Sequence, residues 1–116
     1  MLARENRLRS SRDFRRAYEN GRAYSTALLT VRTLKRGDRG PTRVGIVVST
    51  KLSKKSVERN AVRRRLREAL HRTNIVALRG MDIVVTARPA ARSAAYKSLV
   101  DECNSYVSRI AKTTHR

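Results

Sequence analysis

The sequence predicts an α+β fold, a small two-layer α/β sandwich in the order α-β-β-β-α-β-α, and three observations carry that prediction. Apolar residues alternate with period two from Leu28 to Leu34. Two β-branched runs, Val44-Gly45-Ile46-Val47-Val48 and Ile83-Val84-Val85-Thr86-Ala87, stand on either side of a longer segment. That segment and two others repeat apolar residues at three-four spacing, the mark of a helix with one buried face. A chain of 116 residues has room for one domain with a modest core, so a single domain over 1–116 is expected.

The elements follow in order. Ser10-Ser11 supply an N-cap ahead of Arg12 to Glu19, and Asn20-Gly21 supply the stop, so the first helix is short and places Phe14, Ala17 and Tyr18 on one face. A short strand near Ala23 to Thr26 precedes the Leu28–Leu34 strand. Breakers from Lys35 to Pro41 mark a turn, and Val44 to Val48 reads as a central strand pairing with its predecessor as a hairpin. Ser53 or Ser56 caps the second helix, which ends near His71 or Arg72. With Val62 at the centre of its inner face, 100° steps keep Leu66, Ala69 and Leu70 inside and throw Asn60, Arg63, Arg64, Arg67 and His71 outward. Gly80 and Asp82 flank the last strand, which Pro89 ends. Ser93 caps a final helix with a stripe at Tyr96, Leu99, Val100, Cys103, Val107 and Ile110, and residues 112–116 are expected to fray.

Charge is the functional signal. The chain carries 28 Lys+Arg against 9 Asp+Glu, a formal +19, and 22 of the cations are Arg, the side chain suited to bidentate phosphate contacts and to stacking on bases. From Lys51 to Arg72 nine cations face two acids, a net +7 on what reads as one element. Like charges three or four apart on a helix repel by roughly 0.2–0.5 kcal/mol per pair. A polyanion removes that repulsion, so the segment reads as a site and nucleic acid as its partner.

Other function classes fare poorly. One cysteine and two histidines, Cys103, His71 and His115, build neither a disulfide framework nor a zinc cluster, and no protein-held metal is expected. Cys103 sits in an apolar stripe, where a buried small hydrophobe is the ordinary role. No catalytic residue is assigned. Glu68 and Arg72 stand at i,i+4 in the favourable order for an intrahelical pair. No apolar run approaches a membrane span and the N-terminus shows no apolar signal core, so no membrane partner and a cytoplasmic location are expected. On pattern alone Phe14 and Tyr18 read as core contacts; the rival reading stacks single-stranded bases on them, worth roughly 1–3 kcal/mol per base.

At the basic segment a resemblance becomes specific. Lys54-Lys55-Ser56-Val57-Glu58-Arg59-Asn60-Ala61-Val62-Arg63-Arg64-Arg65-Leu66-Arg67-Glu68 is similar to the signature helix of the protein subunit of bacterial ribonuclease P. Asn6-Arg7-Leu8-Arg9 before Asp13-Phe14, Arg43-Val44-Gly45, and Asp82-Ile83-Val84-Val85 agree with it, so the likeness spans nearly the whole chain. Two departures stand out: Ala61 replaces a usual Arg, and the stretch Thr50 to Lys55 is one residue longer than the commoner form.

The resemblance implies a four-stranded sheet packed against helices with a left-handed β-α-β crossover, as in the second domain of a small-subunit ribosomal protein. It implies two partners, the catalytic RNA of ribonuclease P and precursor tRNA, with no protein partner required. It further implies that Mg²⁺ is held mainly by the RNA, which hydrolyses the bond 5′ to the mature tRNA, and that no small-molecule cofactor is needed. Carried onto this chain, RNA binding falls to Arg59, Asn60, Arg63, Arg64 and Arg67, with Lys51, Lys54 and Lys55 beside them. Leader binding falls to Phe14 and Tyr18, and to Arg32 where some relatives place an aromatic. The competing reading is a structural RNA-binding protein of the ribosome, and a DNA-binding helix-turn-helix is disfavoured because strands flank the basic helix.

Overall fold

The computed structural model describes residues 3–114. The elements are α1 Ser11–Asn20, β1 Arg22–Ser25, β2 Leu29–Lys35, β3 Arg43–Val47, α2 Ser56–Arg72, β4 Met81–Ala87 and α3 Tyr96–Thr114, in the expected order. Short 3₁₀ turns occupy Arg4–Asn6, Ile75–Ala77 and Pro89–Arg92.

The four strands form one mixed sheet in the order β1-β2-β4-β3. β2 pairs antiparallel with β1 and β4, whereas β3 pairs parallel with β4, so α2 is the crossover of a parallel β3-α2-β4 unit. The expected hairpin between β2 and β3 does not form, and β3 is an edge strand rather than a central one. The reason is burial. Ile83, Val84 and Val85 of β4 are buried on both faces of the sheet, and a strand apolar on both faces takes the interior position. The turn after β2 therefore spans the end of β4: Arg36 N–H donates to Gly80 O and Gly80 N–H donates to Gly40 O, both at 2.8 Å. Gly80 has φ +70°, and a side chain there would overlap Asp38 O, so the crossing needs glycine.

Period two in the strands separates two apolar clusters. Leu29, Val31, Ile83, Val85 and Val44 face α2 and α3, where they meet Val62, Leu66, Leu70, Leu99, Cys103 and Tyr106. Val84, Leu34 and Val47 point the other way and pack with Leu8, Phe14 and Ala17. Because α1 covers only part of that second face, Arg32 and Thr86 lie beside it rather than under it.

Helix ends differ from expectation in three places. Ser10 caps α1 as expected, its hydroxyl accepting from Asp13 N–H at 3.4 Å. α2 starts at Ser56 with Lys55 as its cap residue. Ser53 acts one step earlier: its Oγ accepts from Lys55 N–H at 3.1 Å and donates to Glu58 at 2.6 Å. Lys51, Lys54 and Lys55 consequently lie in the turn before the helix, not on it. Ser93 closes the Pro89–Arg92 turn, and α3 opens three residues later at Tyr96, with the Ser98 and Leu99 N–H groups donating to Ala95 O. The backbone expected to fray at residue 112 stays helical to Thr114, and residues 115 and 116 lie outside the described residues.

A buried carboxylate ties the layers together. Asp82 is fully buried and accepts from Arg36 Nη1 at 2.7 Å, Arg43 Nε at 2.8 Å and Arg43 Nη2 at 2.7 Å. Arg43 Nη1 also donates to Asp13 at 3.1 Å, which anchors the first turn of α1 to β3. The Asp82 carboxylate holds the Arg43 guanidinium above its ordinary pKa, and Asp38, ahead of Asp82, does the same for Arg36.

Candidate RNA-binding surface

α2 presents its two faces as the spacing predicts. Val62, Leu66, Ala69 and Leu70 are buried; Asn60, Arg64 and Arg67 are exposed, with Arg59 and Arg63 half-buried at the margin. Arg59 Nη1 donates to Ser53 O at 3.0 Å and Arg63 Nη1 to Asn60 Oδ1 at 2.7 Å, contacts that orient two guanidiniums without neutralising them. The ion pairs among the described residues involve none of Arg59, Arg63, Arg64 or Arg67.

Nor is the ridge neutralised by its own acids. The expected Glu68–Arg72 pair is not formed: at an exposed pair the few tenths of a kcal/mol gained do not hold two long side chains together. Glu58 turns away to Ser53 and to Arg92, 3.2 Å distant, and the Ser53 hydroxyl, then the Arg92 charge, hold its carboxyl below the usual range. Ala61 is half-buried on the flank, so the smaller residue trims the edge of the ridge and leaves its centre intact.

The residues expected to bind the leader, Phe14, Tyr18 and Arg32, divide into two neighbouring groups. Phe14 lies half-buried against Gly45, where any side chain would overlap the phenyl ring. Its groove, about 200 Å³, is lined also by Arg7 and Arg9 from the N-terminal segment and by Arg63 and Arg67 from α2. Tyr18 and Arg32 form the second group. The Tyr18 ring is 40 % exposed, its hydroxyl lies 3.2 Å from Thr86 Oγ1, and the Arg32 guanidinium stands over its face, 5.2 Å from the centroid. Arg32 therefore continues the Tyr18 platform instead of forming a separate stacking site.

Arg7 and Arg9 are the residues that sequence reasoning left without a role. Leu8 N–H donates to Val44 O at 3.0 Å, and Leu8 itself is buried, so its two neighbours line the groove along the outer edge of β3, which the N-terminal segment bridges at Val44. The alternation Arg7-Leu8-Arg9 was the available signal.

Comparison with known proteins gives a concordant result. The family model for ribonuclease P matches residues 2–111. A ribonuclease P protein component from Pseudanabaena sp. is 38% identical, covering 99% of this chain and 98% of its own length. One from Clavibacter michiganensis is 35% identical over 97% and 99%. Among solved structures, the RNase P protein of Thermotoga maritima superposes with TM-score 0.77 at 29% identity, covering 89% of this chain and 96% of that one. That of Staphylococcus aureus gives 0.76 at 29% identity, over 92% and 95%. These likenesses run through the whole fold and favour the ribonuclease P reading over the ribosomal one. The chain belongs to the ribonuclease P protein family and is a protein component of that RNA-containing enzyme.

Proposed function

We propose that α2 grips the catalytic RNA of ribonuclease P while the Phe14 groove and the adjoining sheet face hold the 5′ leader of precursor tRNA, in the cytoplasm. The observation that carries this reading is the meeting of the two surfaces: Arg63 and Arg67 line the same groove as Phe14. A ridge without acid partners lowers repulsion between two RNAs brought side by side, and a groove at its edge fixes where the substrate strand enters. Arg59, Asn60, Arg63, Arg64 and Arg67 contact ribose-phosphate on the ridge, with Lys51, Lys54 and Lys55 extending it through the preceding turn. Phe14 supplies an apolar wall, and the Tyr18–Arg32 pair supplies a stacking platform for the next bases.

No carboxylate is among the described residues lining the groove, and two acids of the surrounding frame are not offered to a divalent cation. Asp13 and Asp82 are both committed to guanidiniums, at 3.1 Å and 2.7–2.8 Å. In this reading Mg²⁺ is held mainly by the RNA, and the protein's part is to bind and to orient.

Reconstituted cleavage of a precursor tRNA tests it. At moderate Mg²⁺, leader removal by the cognate RNA is expected to require this chain, with the requirement strongest at low monovalent salt, where repulsion between the two RNAs is least screened. Equal rates for the RNA alone across substrates and salts overturn the reading.

A further inference from the structure

Beyond the C-terminal end of α1, where β1 and β2 meet α3, lies a recess of about 450 Å³, within the range of small-ligand cavities of roughly 300–1,000 Å³. Its walls bring together Arg22, Lys35 and Arg109 with the Tyr24 ring, and no carboxylate is among the described lining residues. Arg109 stands over the ring of Tyr24, 4.9 Å from its centroid, and Tyr106 tilts against the ring at 5.9 Å. The aromatic is thus held in one pose. Arg22 and Lys35 are exposed, and the ion pairs among the described residues include neither.

The recess lies round the corner from the Tyr18–Arg32 platform. Register pairs Tyr24 with Val31 and Arg22 with Thr33, which puts Arg22 and Tyr24 on the α3 side of the sheet, whereas Arg32 is on the α1 side. Asn20 and Leu34 open the recess toward that α1 side. A strand seated on Phe14 at Gly45 of β3 passes Tyr18, which meets Thr86 of β4, then Arg32 of β2, and next reaches β1. Those three strand spacings amount to about 14 Å. The route ends at a cationic, aromatic recess of suitable size.

We infer that this recess is a second leader site, receiving a nucleotide farther from the cleavage point than those on the sheet face, its phosphate against Arg22 and Lys35 and its base or ribose toward Tyr24. The inference rests on the reading that the leader crosses the sheet.

The test compares holoenzyme binding of precursor tRNAs whose leaders end on the sheet face with others whose leaders extend past it, using the full chain and R22A/K35A. The double variant is expected to lose roughly fivefold or more in affinity for the long leader and none for the short one. Its log–log salt slope for the long leader should be shallower by about 1.4, the value for two phosphate contacts on a single strand. R22K/K35R, which keeps both charges, should restore both, and unchanged binding of the short leader by R22A/K35A separates this from a fold defect. Equal losses on short and long leaders, weaker binding to the catalytic RNA alone, or no loss on either substrate overturn the assignment. Failure of the underlying reading looks different: the unmodified holoenzyme then fails to distinguish leader-bearing from mature tRNA, and this site falls with it.

Discussion

Replacing Asp82 by Asn removes the countercharge on which the sheet, the β2–β3 turn and α1 converge. The carboxylate is fully buried and accepts three hydrogen bonds of 2.7–2.8 Å from Arg36 and Arg43, with Arg16 Nη2 at 3.8 Å. An amide of the same shape points its NH₂ at guanidinium donors, so at least one of these bonds is lost and two cations keep less compensation. Removing one member of a buried pair costs about 3–5 kcal/mol. Two features reduce that here: the Arg43 side chain is 31% exposed and still holds Asp13, and Arg36 keeps Asp38 with the Met81 and Pro41 carbonyls. A loss of about 2–3 kcal/mol is expected, which at about 4 °C per kcal/mol lowers Tm by about 10 °C. Urea titration and thermal melting followed by far-ultraviolet circular dichroism measure both. A change within about 0.5 kcal/mol, the scatter of an ordinary surface substitution, would refute the claim that this carboxylate holds the frame.

Arg63→Ala and Arg67→Ala should each weaken binding to the catalytic RNA and flatten its log–log salt dependence by about 0.7–0.9, with little effect on Tm; an unchanged slope removes that residue from the phosphate contacts. Gly45→Ala forces the Phe14 ring out of its seat, so binding of leader-bearing precursor should fall more than binding of mature tRNA. Equal losses on the two substrates would point to general damage of the fold. At alkaline pH two buried acids act together: burial pushes the Cys103 thiol from 9.0 up to about 12, and pushes the Tyr106 phenol from 10.0 up to about 12 against its hydrogen bond with Thr33. Both groups stay neutral in the folded chain and ionise first in the unfolded one, so their contribution is complete below pH 9 and drains away toward pH 12, at up to about 1.4 kcal/mol per pH unit per group. Urea midpoints that hold constant from pH 8 to pH 11 would exclude this.

The parts of the fold that follow from short spacings were legible. Val62, Leu66, Ala69 and Leu70 fall inside and Asn60, Arg64 and Arg67 outside because helical geometry fixes their angles within two turns. Strand order was not, since adjacency in sequence suggested a β2–β3 hairpin, while the two-sided burial of Ile83, Val84 and Val85 inserted β4 between them. A clue was present: β4 is continuously apolar from Ile83 to Val85, whereas β3 interrupts its run with Gly45 and opens on Arg43. The groove was hidden for a similar reason. Arg7 and Arg9 meet Arg63 and Arg67 only through the sheet, and no local pattern spans that separation. The role of Asp82 depends on arginines from the turn, β3 and α1, and reads from sequence as nothing more than a polar residue beside a strand.

How the few acids are used explains how so basic a chain holds together and still binds. Asp82, Asp13 and Asp38 neutralise Arg36 and Arg43 inside the frame, and Glu102 accepts from Thr26 Oγ1 and Leu28 N–H to join the start of β2 to α3. Glu58 is drawn to Ser53 and Arg92 at the N-terminal end of α2. Each of these carboxylates lies where elements join, and none lies against the outward arginines of α2. Local repulsion on that helix is therefore not relieved within the chain, and on the proposed reading RNA binding and stability are linked in one direction: phosphate on the ridge would stabilise the fold, and dissociation would return the repulsion. The same division makes the two kinds of substitution separable, because loss of Asp82 acts on folding first and loss of Arg67 acts on binding first.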